Sequence, residues 1–77
     1  MKIKILSKNP FQAKSESAEN AISYAKKHTT KRTPLCVIAS GIKTESGNIE
    51  YFIEDSNNCT FLRYGESIIW PEKEDWA

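Results

Sequence analysis

The side chains that could do chemistry in this chain are few, and their spacing does not suit catalysis. The sequence holds one histidine, His28, and two cysteines, Cys36 and Cys59. A zinc site needs three or four convergent ligands, and none of these residues has a neighbour at ligand spacing. A nucleophile pair of His28 with Cys36 is conceivable, but Cys36 stands in the most apolar run of the chain, where a thiolate is disfavoured. The sequence therefore predicts a binding protein without cofactor, metal or catalysis, and a small enzyme or toxin built around His28 is the least favoured hypothesis.

The two cysteines are too few for a disulfide scaffold. Both lie in apolar, strand-like runs, which favours two buried thiols in a reducing cytoplasm. A disulfide between them is the alternative if their strands are neighbours. The first residues, Met1–Leu6, alternate charge and hydrophobe and lack the apolar run of a signal peptide. No apolar stretch approaches the ~20 residues that a bilayer helix needs. We therefore expect a cytoplasmic protein that does not contact a membrane.

Charge is distributed unevenly along the chain, although the net charge is only +1. Residues 1–43 carry nine Lys or Arg and two Glu, a balance of +7, whereas residues 44–77 carry two basic and eight acidic residues, a balance of −6. Such a split can hold the fold together by pairing its halves, or it can make a surface with two signs that orients a partner. The sequence leaves both interpretations open.

The strongest local charge feature is the basic run that ends the predicted helix. It contains Lys26, Lys27, Lys31 and Arg32. The run predicts contact with phosphates or with an acidic protein face, and the alternative is a solvated helix end. A dedicated DNA-binding domain usually has a pI above about 9, whereas this chain has a pI of about 7.7. We therefore favour a protein partner and keep a small nucleic-acid-binding module as the alternative.

Three aromatic residues complete the predicted contact surface. Phe52 and Tyr64 belong to the sheet face that a single helix leaves uncovered, and Trp76 lies in an acidic tail where it is hard to place in a core. Trp and Tyr are enriched among binding hot spots. An uncovered face is also compatible with a homodimer. The predicted partner-binding residues are Lys26, Lys27, Lys31, Arg32, Phe52, Tyr64 and Trp76.

Seventy-seven residues suffice for one small core, which we place in a single domain over 1–70 with an acidic tail at 71–77. An apolar stripe on a 3.6-residue period predicts a helix from Ser15 to His28, with Ser17 as N-cap and Ser15 as the fallback. Alternating or apolar runs separated by turn residues predict the strands. The fold class is therefore α+β: a two-layer sandwich with one helix packed on a four- to five-stranded antiparallel sheet, in the order β-α-β-β-β-β. The predicted strands are Met1–Leu6, Leu35–Ile42, Ile49–Glu54, Cys59–Tyr64 and Ser67–Trp70.

The chain resembles small phage-encoded accessory proteins, including anti-CRISPR inhibitors of type I systems. Three segments carry the resemblance: the Lys/Ile strand at the N-terminus, the helix pattern Ser17–Lys27 and the hairpin at Gly47. The resemblance spans roughly residues 1–64, and the segments Thr29–Pro34 and the tail from Trp70 depart from it. It implies a non-enzymatic inhibitor encoded by a phage or mobile element. Such an inhibitor blocks a host defence protein or ribonucleoprotein complex by occluding its surface. Lys26 and Lys27 would be its helix-end contacts.

Overall fold

The structure is a computed structural model that describes residues 3–8, 10–58 and 62–71. One helix packs on one face of a five-stranded antiparallel sheet, which confirms the predicted α+β class. The elements, in chain order, are β1 (Lys4–Lys8), β2 (Phe11–Ser15), α1 (Ala18–His28), β3 (Leu35–Lys43), β4 (Ile49–Asp55), a 3-10 turn (Ser56–Asn58) and β5 (Ser67–Trp70).

The sheet has the strand order β1-β2-β4-β3-β5, and every neighbouring pair is antiparallel. The β3–β4 hairpin lies at its centre, where Val37 is paired with Ile53. Strand β2 adds to the outer side of β4, with Ala13 opposite Ile53, and β5 adds to the outer side of β3. The order is therefore not a simple meander, because the chain passes over the sheet through α1 between β2 and β3.

The strand positions differ from the prediction in two places. Phe11–Ser15 forms a strand before the helix, where the sequence analysis placed no element. The predicted strand Cys59–Tyr64 is not found in its described part, because Leu62 and Arg63 have no regular structure and Tyr64 begins a turn; residues 59–61 lie outside the described residues. Leu62 and Tyr64 are exposed, so the burial that would favour a strand is missing there. With β2, which the prediction lacked, the sheet formed by the described residues has five strands.

The main core lies between α1 and the sheet. Ala21 and Ala25 of the helix are fully buried against β2, β3 and β4. Alanine lets the two layers approach closely, and the partly buried Ile22 packs at the margin of this core. The helix begins after Ser17, whose Oγ accepts a hydrogen bond from the Asn20 backbone N at 3.2 Å, as the sequence predicts. The buried apolar residues of the core are Ala13, Ala21, Ala25, Leu35, Val37 and Ile53.

The opposite face of the sheet, which we call the helix-free face, also contains buried residues. Side chains alternate along a strand, so Cys36 and Ile38 point away from the Val37 side, and both are nonetheless at most 3% exposed. Cys36 is disulfide-bonded. This corrects the expectation of a free thiol: the residue is small and buried, as predicted, but it is oxidised. The sequence has one other cysteine, Cys59, which lies outside the described residues.

Strand β3 bends at Gly41, where the loop before β5 approaches it. The register with β4 shifts between Ala39 and Lys43, and Gly41 takes a φ of +76°. The buried Ser40 supports the bend, because its Oγ accepts from the Ile42 backbone N at 3.1 Å. A Cβ on Gly41 would lie 2.5 Å from the carbonyl oxygen of Gly65. The bend thus brings residues 63–66 against the helix-free face.

Candidate functional site

Four predicted contact residues lie at the C-terminal end of α1 and in the connector that follows it. Lys26, Lys27, Lys31 and Arg32 are all exposed, and we refer to them as the basic helix end. Hydrogen bonds fix the connector: the Thr33 backbone N donates to Thr30 Oγ1 at 2.9 Å, and the Leu35 backbone N donates to Thr29 Oγ1 at 3.0 Å. Lys26 and Lys27 are therefore held by the last turn of α1, and Lys31 and Arg32 by the hydrogen-bonded connector.

Among the residues that the structure describes, no carboxylate forms an ion pair with the four cations of the basic helix end. Within the described part of the chain, the only ion pair joins Lys14 Nζ to Glu50 Oε1 at 3.0 Å, across the β2–β4 pairing. That pair joins the basic segment 1–43 to the acidic segment 44–77 at one point. The four cations at the helix end keep their charge available for a partner, which is the condition for long-range steering of an anionic surface.

An aromatic column lies beside the basic helix end. The rings of Phe11 and Tyr24 stack with centroids 6.0 Å apart, and those of Tyr24 and His28 stack at 4.2 Å. Both Tyr24 and His28 belong to the helix that the sequence predicts, but a contact between their rings was not predicted. The four-residue spacing of Tyr24 and His28 was a signal for this contact, because such residues face each other on a helix. Phe11 could not be added from sequence because β2 was not predicted.

A concave surface lies on the helix-free face, and we call it the open-face cavity. Its volume is about 400 Å³. Its floor comes from β2, β3 and β4, and its rim comes from the loop before β5. The lining residues are Gln12, Ser40, Ile42, Phe52, Glu54, Arg63, Tyr64 and Glu66.

Hydrogen bonds hold both carboxylates of this cavity in place. Gln12 Nε2 donates to Glu54 Oε1 at 2.8 Å. The Arg63 backbone N donates to Glu66 Oε1 at 2.6 Å, and the Glu66 backbone N donates back to the Arg63 carbonyl at 3.0 Å. The result is one positioned acceptor on the floor, Glu54, and one at the rim, Glu66.

The predicted site residues thus fall into two groups. The basic helix end lies in the helix layer, while Phe52 and Tyr64 line the open-face cavity on the other side of the sheet. Trp76 lies outside the described residues. Glu54, Arg63 and Glu66 were not among the predicted site residues, because the approach of the loop before β5 to this face depends on the bend at Gly41.

No group of three or more His, Cys, Asp or Glu that could hold a metal ion occurs among residues 3–8, 10–58 and 62–71. The helix in that part of the chain, at 11 residues, is too short to span a membrane. Comparisons of the chain with protein-family models, with curated proteins and with solved structures found no match.

Proposed function

We propose that this chain is a small binding protein that docks on an acidic face of a protein partner through the basic helix end and inhibits the partner by covering that face. The observation that supports this most is the set of four exposed cations, two in the last turn of α1 and two in the hydrogen-bonded connector after it, none of them ion-paired within the described residues. Inhibition of a host defence complex, the function implied by the resemblance to phage accessory proteins, is the form of this activity that we propose.

Physical chemistry favours such a surface for docking. Exposed charges of one sign raise the association rate with an oppositely charged face and disfavour wrong partners. A fixed turn loses less conformational freedom on binding than a mobile segment does. The column that ends in His28 adds a rigid aromatic surface beside the charges, and rigid aromatic groups contribute strongly to the centres of interfaces.

The test is charge reversal with a control that is matched in number. Lys26→Glu with Lys27→Glu should weaken binding to a co-purified host complex by about tenfold or more, equal to about 1.4 kcal/mol. Lys4→Glu with Lys43→Glu changes the same net charge at exposed positions away from the helix end and should leave affinity within about threefold, because scattered exposed charges contribute little. Affinities are measured by surface plasmon resonance on the purified complex. Equal losses in both double variants would remove the basic helix end from the mechanism.

A nucleic-acid-binding module is the second candidate, and the exposed His28 favours it. Bases of single strands stack on aromatic side chains beside cations, and His28 is exposed on one side of Tyr24. The two candidates differ in salt dependence. Phosphate contacts on a single strand give a slope of log affinity against log salt of about −0.7 per neutralised phosphate. A steep slope with a naked oligonucleotide, abolished by the helix-end reversals, would replace the protein-docking proposal with this one.

A further inference from the structure

We propose that the open-face cavity is a second binding site, which accepts the guanidinium group of an arginine side chain presented by a protein partner. The basic helix end suits an anionic surface, whereas this cavity suits a cation. The two sites lie on different layers of the fold, so this inference stands independently of the proposed function.

The charge of the lining favours a cation. Glu54 and Glu66 contribute two negative charges and Arg63 one positive charge. Each carboxylate accepts its intramolecular hydrogen bond at Oε1, and within the described residues no donor is bonded to either Oε2. These atoms are acceptors that a ligand can reach without breaking an existing contact. Charge-assisted hydrogen bonds from a guanidinium to a carboxylate are about twice as strong as neutral ones.

The aromatic lining favours arginine over lysine. Phe52 is half-buried in the floor, and Tyr64 is fully exposed at the rim. A guanidinium is planar and weakly hydrated, so it stacks on aromatic faces, whereas an ammonium keeps its water more strongly. Ile42 supplies a further apolar surface, against which the methylene stem of the arginine ligand packs. The volume of about 400 Å³ lies in the range of small-ligand sites.

Arg63 gives the proposal a signed test. Its guanidinium carries the same charge as the ligand and belongs to the same rim, so it weakens the binding of a cation. Removal of its charge should therefore strengthen binding, while removal of either carboxylate charge should weaken it. A general loss of structure would not raise affinity in one variant and lower it in the other two.

The experiment titrates N-acetyl-arginine amide into the full chain and follows the backbone amide NMR signals of Phe52, Tyr64 and Gly65. The neutral isostere N-acetyl-citrulline amide is the control probe. Glu54→Gln and Glu66→Gln should each lower the affinity for the arginine probe by about three- to fivefold, as expected for partly exposed charge pairs. Arg63→Gln should raise it by about twofold or more. Both glutamine variants keep an Oε1 acceptor for Gln12 Nε2 and for the Arg63 backbone N, so the loop geometry is retained.

Glu45→Gln is the matched control, because Glu45 is exposed in the β3–β4 turn and does not line the cavity; the affinity should not change. Lys26→Glu with Lys27→Glu should also leave probe affinity within about twofold, as for distant charges, which separates this test from that of the basic helix end. Equal shifts with the citrulline probe, or weaker binding by Arg63→Gln, would overturn the proposal. So would self-association of the chain that is lost in Glu54→Gln, since the occupant would then be a second copy.

Discussion

Gly41 is the residue on which the geometry of the helix-free face depends. Its φ of +76° belongs to the left-handed region, which costs residues with a side chain about 1–2 kcal/mol. Its Cα also faces the carbonyl oxygen of Gly65 so closely that a Cβ would lie 2.5 Å from that atom. Both the bend of β3 and the position of the cavity rim therefore require glycine at this point.

Gly41→Ala should destabilise the fold by about 2–4 kcal/mol, because left-handed strain and displacement of the Gly65 backbone add together. Gly47→Ala is the control, since Gly47 has a φ of +84° in the β3–β4 turn but has nothing within 4 Å of its would-be Cβ. It should cost only about 1–2 kcal/mol. Urea denaturation measures both. A loss in Gly41→Ala no larger than that in Gly47→Ala would show that the contact with Gly65 has no energetic effect.

Residue types alone were enough to group the residues of the basic helix end, because all four lie within positions 26–32 of the sequence. They were not enough for the cavity. Glu54 and Glu66 are twelve positions apart, and they line one cavity because the loop before β5 approaches β3 at Gly41. A positive φ leaves no trace in sequence beyond the glycine itself, so this arrangement could not be predicted.

At the scale of elements, the start of α1 is defined by two serines. Ser17 Oγ accepts from the Asn20 backbone N at 3.2 Å, and the Ser17 backbone N donates to the Oγ of the buried Ser15 at 3.1 Å. The two hydroxyl groups thus connect the end of β2 to the first helical turn. Because α1 supplies one wall of the core, a weaker start lowers the stability of the whole fold.

Ser17→Ala should lower the free energy of unfolding by about 1 kcal/mol, the usual cost of losing an N-cap. Ser23→Ala is the matched control, since Ser23 is exposed within the same helix. Alanine is the better helix former there, so stability should stay the same or rise by a few tenths of a kcal/mol. Thermal unfolding followed by circular dichroism compares the two. A similar loss at both positions would contradict the role of Ser17.

Strand β2 shows why the pattern of elements was only partly predictable. Its sequence alternates, with Ala13 and Ser15 buried and Gln12 and Lys14 half-buried. It is short, however, and alanine and lysine are weak strand formers. Its stability comes from pairing with β4, where Lys14 lies opposite Phe52 and forms the ion pair with Glu50. Such a strand depends on a partner distant in sequence. The helix, whose stripe and cap are local, was predicted with nearly the correct ends.

At the scale of the whole molecule, the charge asymmetry becomes a surface with two signs. The cations of the basic helix end come from the first half of the chain, and the carboxylates of the open-face cavity come from the second half. The sequence left two interpretations open: pairing of the two oppositely charged halves of the chain, or a surface with two signs. The single described ion pair, Lys14 with Glu50, supports the pairing only locally. The basic helix end and the carboxylates of the open-face cavity lie on opposite sides of the sheet.

The disulfide at Cys36 also acts on the whole molecule, because Cys36 lies in a central strand and is 2% exposed. A reducing agent should lower the free energy of unfolding by about 2–4 kcal/mol, the usual contribution of a disulfide. Cys36→Ser should be less stable from the outset and insensitive to the reductant. Denaturation with and without the reductant measures this effect. An unchanged midpoint in the unsubstituted chain would contradict it.

Bridges persist mainly in oxidising compartments, so the argument for a reducing cytoplasm from two free thiols no longer holds.

Strand β1 is bonded within the described sheet to β2 alone, and Ile5 and Leu6 are 49% and 43% exposed. Little apolar burial is lost when such a strand detaches. It can therefore open by itself in a local fluctuation while the β3–β4 centre stays closed. Each such opening would expose the outer backbone edge of β2, so we expect the amide protons of the β1–β2 pairing to exchange with solvent before those of the β3–β4 centre.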